Sequence, residues 1–74
     1  MLPKAEIGQR LKDLRLLGNY SQKEVAKALE VGVSAVSMWE TGERIPNDVL
    51  KIRISNFYHV SVEEIFFADL AHDL

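Results

Sequence analysis

Apolar residues recur along this chain at helical rather than strand spacing. Ile7, Leu11 and Leu14 fall at i, i+4 and i+7, which is one face of a helix. The first predicted helix runs from about Lys4 to Leu17. Pro3 suits its first turn, and Gly18 or Asn19 can take the left-handed conformation that ends it. A second helix is predicted from Gln22 to about Leu29, with Val25, Ala26 and Leu29 facing inward and Ala26 small enough to let another helix approach. Ser21 and Glu24 make a capping box at its start, and Tyr20 can staple onto Val25. The third helix should span Val33 to about Glu40. Gly32 is its N-cap without a side-chain acceptor, Val36 and Trp39 face inward, and Thr41-Gly42 ends it.

Two further segments follow. Asn47 should cap a helix from Asp48 to Tyr58 whose inner stripe is Leu50, Ile54 and Phe57. Val49 and Ile52 fall on another face, unexplained by a monomeric core. The stretch "VLKIRIS" comes closest to a strand because of its β-branched residues, but Pro46 and the cap favour helix. A last helix is predicted from Val62 to about Leu70, with Ser61 and Glu64 repeating the capping box. Val62, Ile65 and Phe66 point at the core, while Phe67 and Leu70 need another home.

Length and composition narrow the class. At 74 residues, a single domain over residues 1–74 is expected. A chain this short buries only about 60% of the surface it exposes when unfolded. The 47% hydrophobic content sets it apart from a disordered chain, and the absence of cysteine excludes disulfides and thiolate metal sites. Extra stability must come from helix packing or from self-association. The sequence has no apolar run of roughly 18 residues, so no membrane span is expected. "MLPKAEIGQR" lacks the apolar core of a signal peptide, and the zero cysteine count fits a cytoplasmic protein.

The net charge of −2 argues at first against a nucleic-acid partner, but the charges are unevenly spread. Residues 1–53 hold all nine Lys and Arg against seven acids, whereas residues 54–74 hold four acids and no Lys or Arg. The acidic end should point away from DNA or toward a partner. Non-specific DNA affinity should be low, because it scales with the phosphates neutralised.

"SQKEVAKALEVGVSAVSMWE" matches two short helices joined by a turn, a helix-turn-helix. With "IGQRLKDLR", "YSQKEVAKAL", "VSAVSMWETGERIP" and "VSVEEIF" in order, the chain from Ile7 to Phe66 resembles the phage-repressor-like (Cro/CI-type, or Xre) helix-turn-helix domains. The resemblance implies an all-α, compact five-helix bundle, lambda-repressor-like, with the helix-turn-helix formed by helices 2 and 3. It implies a transcriptional regulator that binds double-stranded DNA as a homodimer, without a cofactor.

Site residues follow from the same resemblance. Gln22 falls where the family has a Gln on phosphate, at a helix N-terminus whose free N–H groups favour an anion. A solvated first-turn residue is the plainer alternative. Lys23, Gly32, Thr41, Gly42 and Arg44 are further backbone candidates, although Lys23 and Lys27 also fit a solvated face and Glu43 departs from the family's basic residue. Arg10 and Glu40 are expected to form a structural ion pair. Trp39 is read as core rather than as a base-stacking residue.

The base-reading face should be Val33, Ser34, Ser37 and Met38, opposite Val36 and Trp39. None is Arg, Lys, Asn or Gln, which make the bidentate base pairs. Serine hydroxyls and methyl contacts remain, favouring thymine-containing sites and a reliance on DNA shape. Such a surface equally suits a protein partner, as in an antitoxin or antirepressor component, because Met adapts its shape. The leading expectation is a repressor on a palindromic operator, paired through Phe66, Phe67 and Leu70, with Val49 and Ile52 as additional contacts. An enzyme is not expected. His59 reads as a helix-ending residue, and Glu63-Glu64 as first-turn acids that oppose the helix dipole.

Overall fold

The computed structural model describes residues 1–68 of the chain. The described residues form α1 (Lys4–Leu17), α2 (Gln22–Leu29), α3 (Val33–Thr41), α4 (Asp48–Tyr58) and α5 (Glu63–Phe67). The architecture is all-α, and each boundary has a local cause. The Pro3 carbonyl accepts from the Ile7 N–H at 3.0 Å to start α1. Asn19, at φ 58°, turns the chain out of it. Both halves of the capping box at α2 are present: Glu24 N–H donates to Ser21 Oγ at 3.0 Å, and Ser21 N–H to Glu24 Oε1 at 2.8 Å. Asn47 Oδ1 accepts from Leu50 N–H at 2.9 Å at the start of α4, and His59, at φ 58°, ends it. Tyr20, expected on Val25, packs its ring against Phe57 with centroids 5.0 Å apart.

The core gathers Ile7 and Leu11 of α1, Val25, Ala26 and Leu29 of α2, Val36 and Trp39 of α3, Ile54 of α4, and Ile65 and Phe66 of α5. The space left among Leu11, Val25, Leu29, Val36, Trp39, Ile54 and Tyr58 is about 10 Å³, room for one water at most. Leu2, a residue the periodicity did not reveal, is also buried, and its N–H donates to the Phe66 carbonyl at 2.9 Å.

α1 and α3 meet backbone to backbone. A Cβ on Gly8 would lie 2.5 Å from the Glu40 carbonyl oxygen and 2.7 Å from that of Trp39. Only glycine permits this approach. Gly42, at φ 82°, ends α3 in a conformation that side chains resist.

Two expectations change at the C-terminal side. α5 is one π-type turn, shorter than the predicted Val62–Leu70, because the Ala68 N–H reaches back five residues to the Glu63 carbonyl at 2.7 Å and Ala68 itself is extended. Phe66, expected both in the core and at a dimer surface, is fully buried and belongs to the core alone. Leu70 lies outside the described residues. Among the described helices, none is long and apolar enough to cross a membrane.

Replacing Gly8 with Ala should force α1 away from α3. The expected loss is about 1–3 kcal/mol of unfolding free energy, measured as a lower urea midpoint with an unchanged slope.

Candidate nucleic-acid interface

The turn between α2 and α3 is tight. Glu30 takes φ 59° and Val31 N–H closes on the Ala26 carbonyl at 3.0 Å. A glutamate in the left-handed region is uncommon, and nothing in its residue type announced it. Gly32 is the N-cap of α3, exposed and without a side-chain hydrogen bond.

α3 then turns Val36 and Trp39 into the core and leaves the opposite side outward. Val33 is 47% exposed and Ser34 is exposed, while Ser37 and Met38 are half-buried. These four residues share one side of the helix, as their spacing required.

The ion pair that braces α3 differs from the expected one. Arg15, not Arg10, meets Glu40: Nε donates to Oε2 at 2.7 Å and the guanidinium Nη2 to Oε1 at 3.0 Å. Arg15 also donates to the Tyr20 carbonyl at 3.0 Å. The reason is angular. Arg15 lies one heptad after Gly8 and one turn after Leu11, on the side of α1 that touches α3. Arg10 faces α5 instead, donating to the carbonyls of Glu64 and, at 2.8 Å, Ala68, with Glu6 3.5 Å away.

The Arg15 and Glu40 side chains are only 11% and 4% exposed. Hydrogen bonding to Glu40 raises the Arg15 pKa against the burial that lowers it, so Arg15 is charged whenever the protein is folded. Burial, followed by the charge of Glu40, pushes the neighbouring Tyr58 phenol up to about 12.

Glu40 has a second function in this geometry. Its Oε1 also accepts from the Gln22 side-chain amide at 3.1 Å. Gln22 is the first residue of α2, so the carboxylate ties the N-terminus of α2 to the C-terminal turn of α3. The backbone N–H groups of Gln22 and Lys23 have no acceptor among the described residues, and the Lys23 side chain is exposed.

The loop after α3 is committed inward. Glu43 and Arg44 N–H groups both donate to the Met38 carbonyl, at 2.9 and 3.2 Å, and Gly42 N–H donates to Trp39 at 3.2 Å. Thr41 Oγ1 lies 3.2 Å from the Met38 carbonyl and 3.1 Å from Glu43 Oε1. The backbone N–H groups of Gly42, Glu43 and Arg44 are therefore already used within the turn. The Arg44 side chain remains exposed beside it.

The helix-turn-helix family model matches residues 11–65. The chain is 35% identical over 63 residues to the HTH-type transcriptional regulator ImmR of Bacillus subtilis, covering 85% of this chain and 50% of that protein. It is 35% identical over 60 residues to the HTH-type transcriptional activator BcrR of Enterococcus faecalis, covering 81% of this chain and 29% of the relative. The chain thus spans half or less of these two relatives. Among solved structures, the restriction-modification controller protein C.AhdI from Aeromonas hydrophila matches with a TM-score of 0.77 at 27% identity, over 84% of this chain and 94% of that one. The clp gene regulator ClgR from C. glutamicum matches with a TM-score of 0.78 over 100% of this chain and 96% of its own, and at 19% identity it shows the fold alone.

Arg15→Met should leave the Glu40 charge buried without its partner and cost about 3–5 kcal/mol. Arg10→Met should cost less, about 1–2 kcal/mol, because the carbonyls it leaves remain within reach of water. Paired urea melts check the order of the two.

Proposed function

The chain belongs to the Xre-type helix-turn-helix family, and from that premise we propose that it is a sequence-specific DNA-binding transcriptional regulator. Residues 1–74 act as one DNA-binding domain that places α3 in the major groove, with Val33, Ser34, Ser37 and Met38 toward the base edges. The observation that carries the reading is the anchored Gln22. Its amide is held by Glu40 at the N-terminus of α2, beside two backbone N–H groups without an acceptor among the described residues. A phosphate oxygen suits that arrangement in charge and in donors. Lys23 and Arg44 add positive side chains, while Gly32, Thr41 and Gly42 shape the two ends of α3 so that the duplex backbone can approach.

A dimer completes the reading. Phe67 is 44% exposed, and Val49 and Ile52 are 61% and 57% exposed. These residues remain as the self-association surface once Phe66 is assigned to the core. Two copies related by a two-fold axis set their reading helices about 34 Å apart on a palindromic operator. Occupying such a site in the cytoplasm blocks competing proteins, which is repression.

Arg44→Ala should weaken binding to every duplex to a similar degree and flatten the salt slope by about one. Titrations of specific and random duplex at several salt concentrations read both effects, and a loss confined to one sequence would contradict a phosphate role. Phe67→Asp should reduce the sedimenting mass from dimer to monomer. Equal masses for Phe67→Asp and wild type would remove this interface.

A further inference from the structure

We propose that Asp48 and Lys51 set the register and the partner choice of the self-association surface: Asp48 of each copy meets the partner's Lys51, and the contact repeats about the two-fold axis. This inference rests on the dimer reading above and adds how one copy recognises another. The two side chains stand one turn apart on α4, with Asp48 Oδ1 3.3 Å from Lys51 Nζ. Together with Ile52, Val62 and Phe67 they line a shallow depression of about 290 Å³. Val49, also exposed, follows Asp48 on α4.

The two charges sit in different surroundings. The Lys51 side chain is 12% exposed and the Asp48 side chain 96%. The Lys51 ammonium stands 5.8 Å from the centroid of the Phe66 ring and 5.6 Å from that of Phe67, and ring faces attract a cation. An ammonium carries three donors, yet Asp48 Oδ1 is the one oxygen that accepts from it among the described residues, beside the Met1 sulfur at 3.7 Å. An occupant that covers Ile52 and Phe67 takes the remaining water from this cation, and an apolar occupant would leave that loss uncompensated. The occupant must therefore bring an anionic acceptor. A second copy brings one on the same patch, because Asp48 reaches into solvent with no hydrogen bond to its Oδ2 among the described residues. In an isologous contact, residue i of one copy meets residue j of the other and j meets i. One anion and one cation per copy thus give two ion pairs between copies. Only these two of the residues lining the depression are charged, so a shifted register or a foreign chain that sets like charges together is repelled.

The experiment follows the sedimenting mass of the whole chain over a concentration series, for wild type, Asp48→Lys, Lys51→Glu and an equimolar mixture of the two variants. Each variant alone sets like charges together twice per dimer, and its self-association should be about tenfold weaker than wild type or more. In the mixture both contacts again join opposite charges, so the dimer should return to within about threefold of wild-type affinity. Mixing restores nothing to a pair that acts only within its own chain. A mixture as monomeric as its two components therefore overturns the inference. The Asp48 side chain packs against no core residue, so Asp48→Lys keeps the test open if Lys51→Glu fails to fold. Mixed with wild type, Asp48→Lys should form a dimer of intermediate affinity, because one of the two contacts survives. A mixture no tighter than Asp48→Lys alone overturns the inference, and so does Asp48→Lys that pairs as tightly as wild type. In either case, loss of the dimer in Phe67→Asp leaves the dimer reading standing. Wild-type protein that stays monomeric at every concentration overturns the dimer reading and this inference with it.

Discussion

Glu40 accepts from Arg15 and from Gln22, so one carboxylate joins α1, α2 and the end of α3. Its position is fixed from below by Gly8, which lets the Glu40 backbone settle onto α1. The apolar core alone would hold three helices together with some freedom to slide. A bidentate guanidinium–carboxylate contact has a defined plane and direction, and with the backbone contact it leaves little of that freedom. The orientation of α3, and hence what its outer side can touch, depends on this joint.

The charged joint is not needed for stability as such. Two ions that leave water lose hydration, and an apolar pair of the same size often does as well or better. What an apolar pair cannot do is accept from the Gln22 amide. The same carboxylate that neutralises Arg15 also aims the first side chain of α2, so the cost of burying it has a return at the surface. The chain carries a net charge of −2, and residues 1–53, which hold all nine Lys and Arg, also hold seven acids. With few phosphates neutralised, general attraction to DNA is weak. In the proposed function, fixed donors at α2 would then matter more than they would on a strongly basic protein.

Much of this was legible in the sequence, because helix limits are set by local chemistry. The Ser21 and Glu24 pair, the Asn47 cap, and Gly42 after α3 each act within a few residues of themselves. The inward residues of the first four helices followed from spacing for the same reason. Three features did not. Arg10 and Arg15 are both arginines on α1, and choosing between them needs the angle at which α1 meets α3. Gly8 holds that information, since it shares a side with Leu11 and Arg15. Leu2 and the shortened α5 depend on contacts across the whole chain, through the Phe66 carbonyl and through Arg10. The Glu43 and Arg44 amides close on the Met38 carbonyl, a closure that residue types do not announce. The roles of the outward residues toward DNA remain a proposal built on that geometry.

An outer side of valine, serine and methionine would be a poor reader on a loosely held helix. Serine hydroxyls rotate and methionine adapts, so each accepts many partners when the backbone beneath it can shift. Selectivity must then come from where the backbone is placed. In this protein the backbone of α3 is seated on Gly8 at one side, tied to Arg15 and Gln22 through Glu40, and closed at its end by two amides on the Met38 carbonyl. With the helix held at these points, the outward side chains of α3 would present themselves to base edges, in the proposed function, from one defined backbone position.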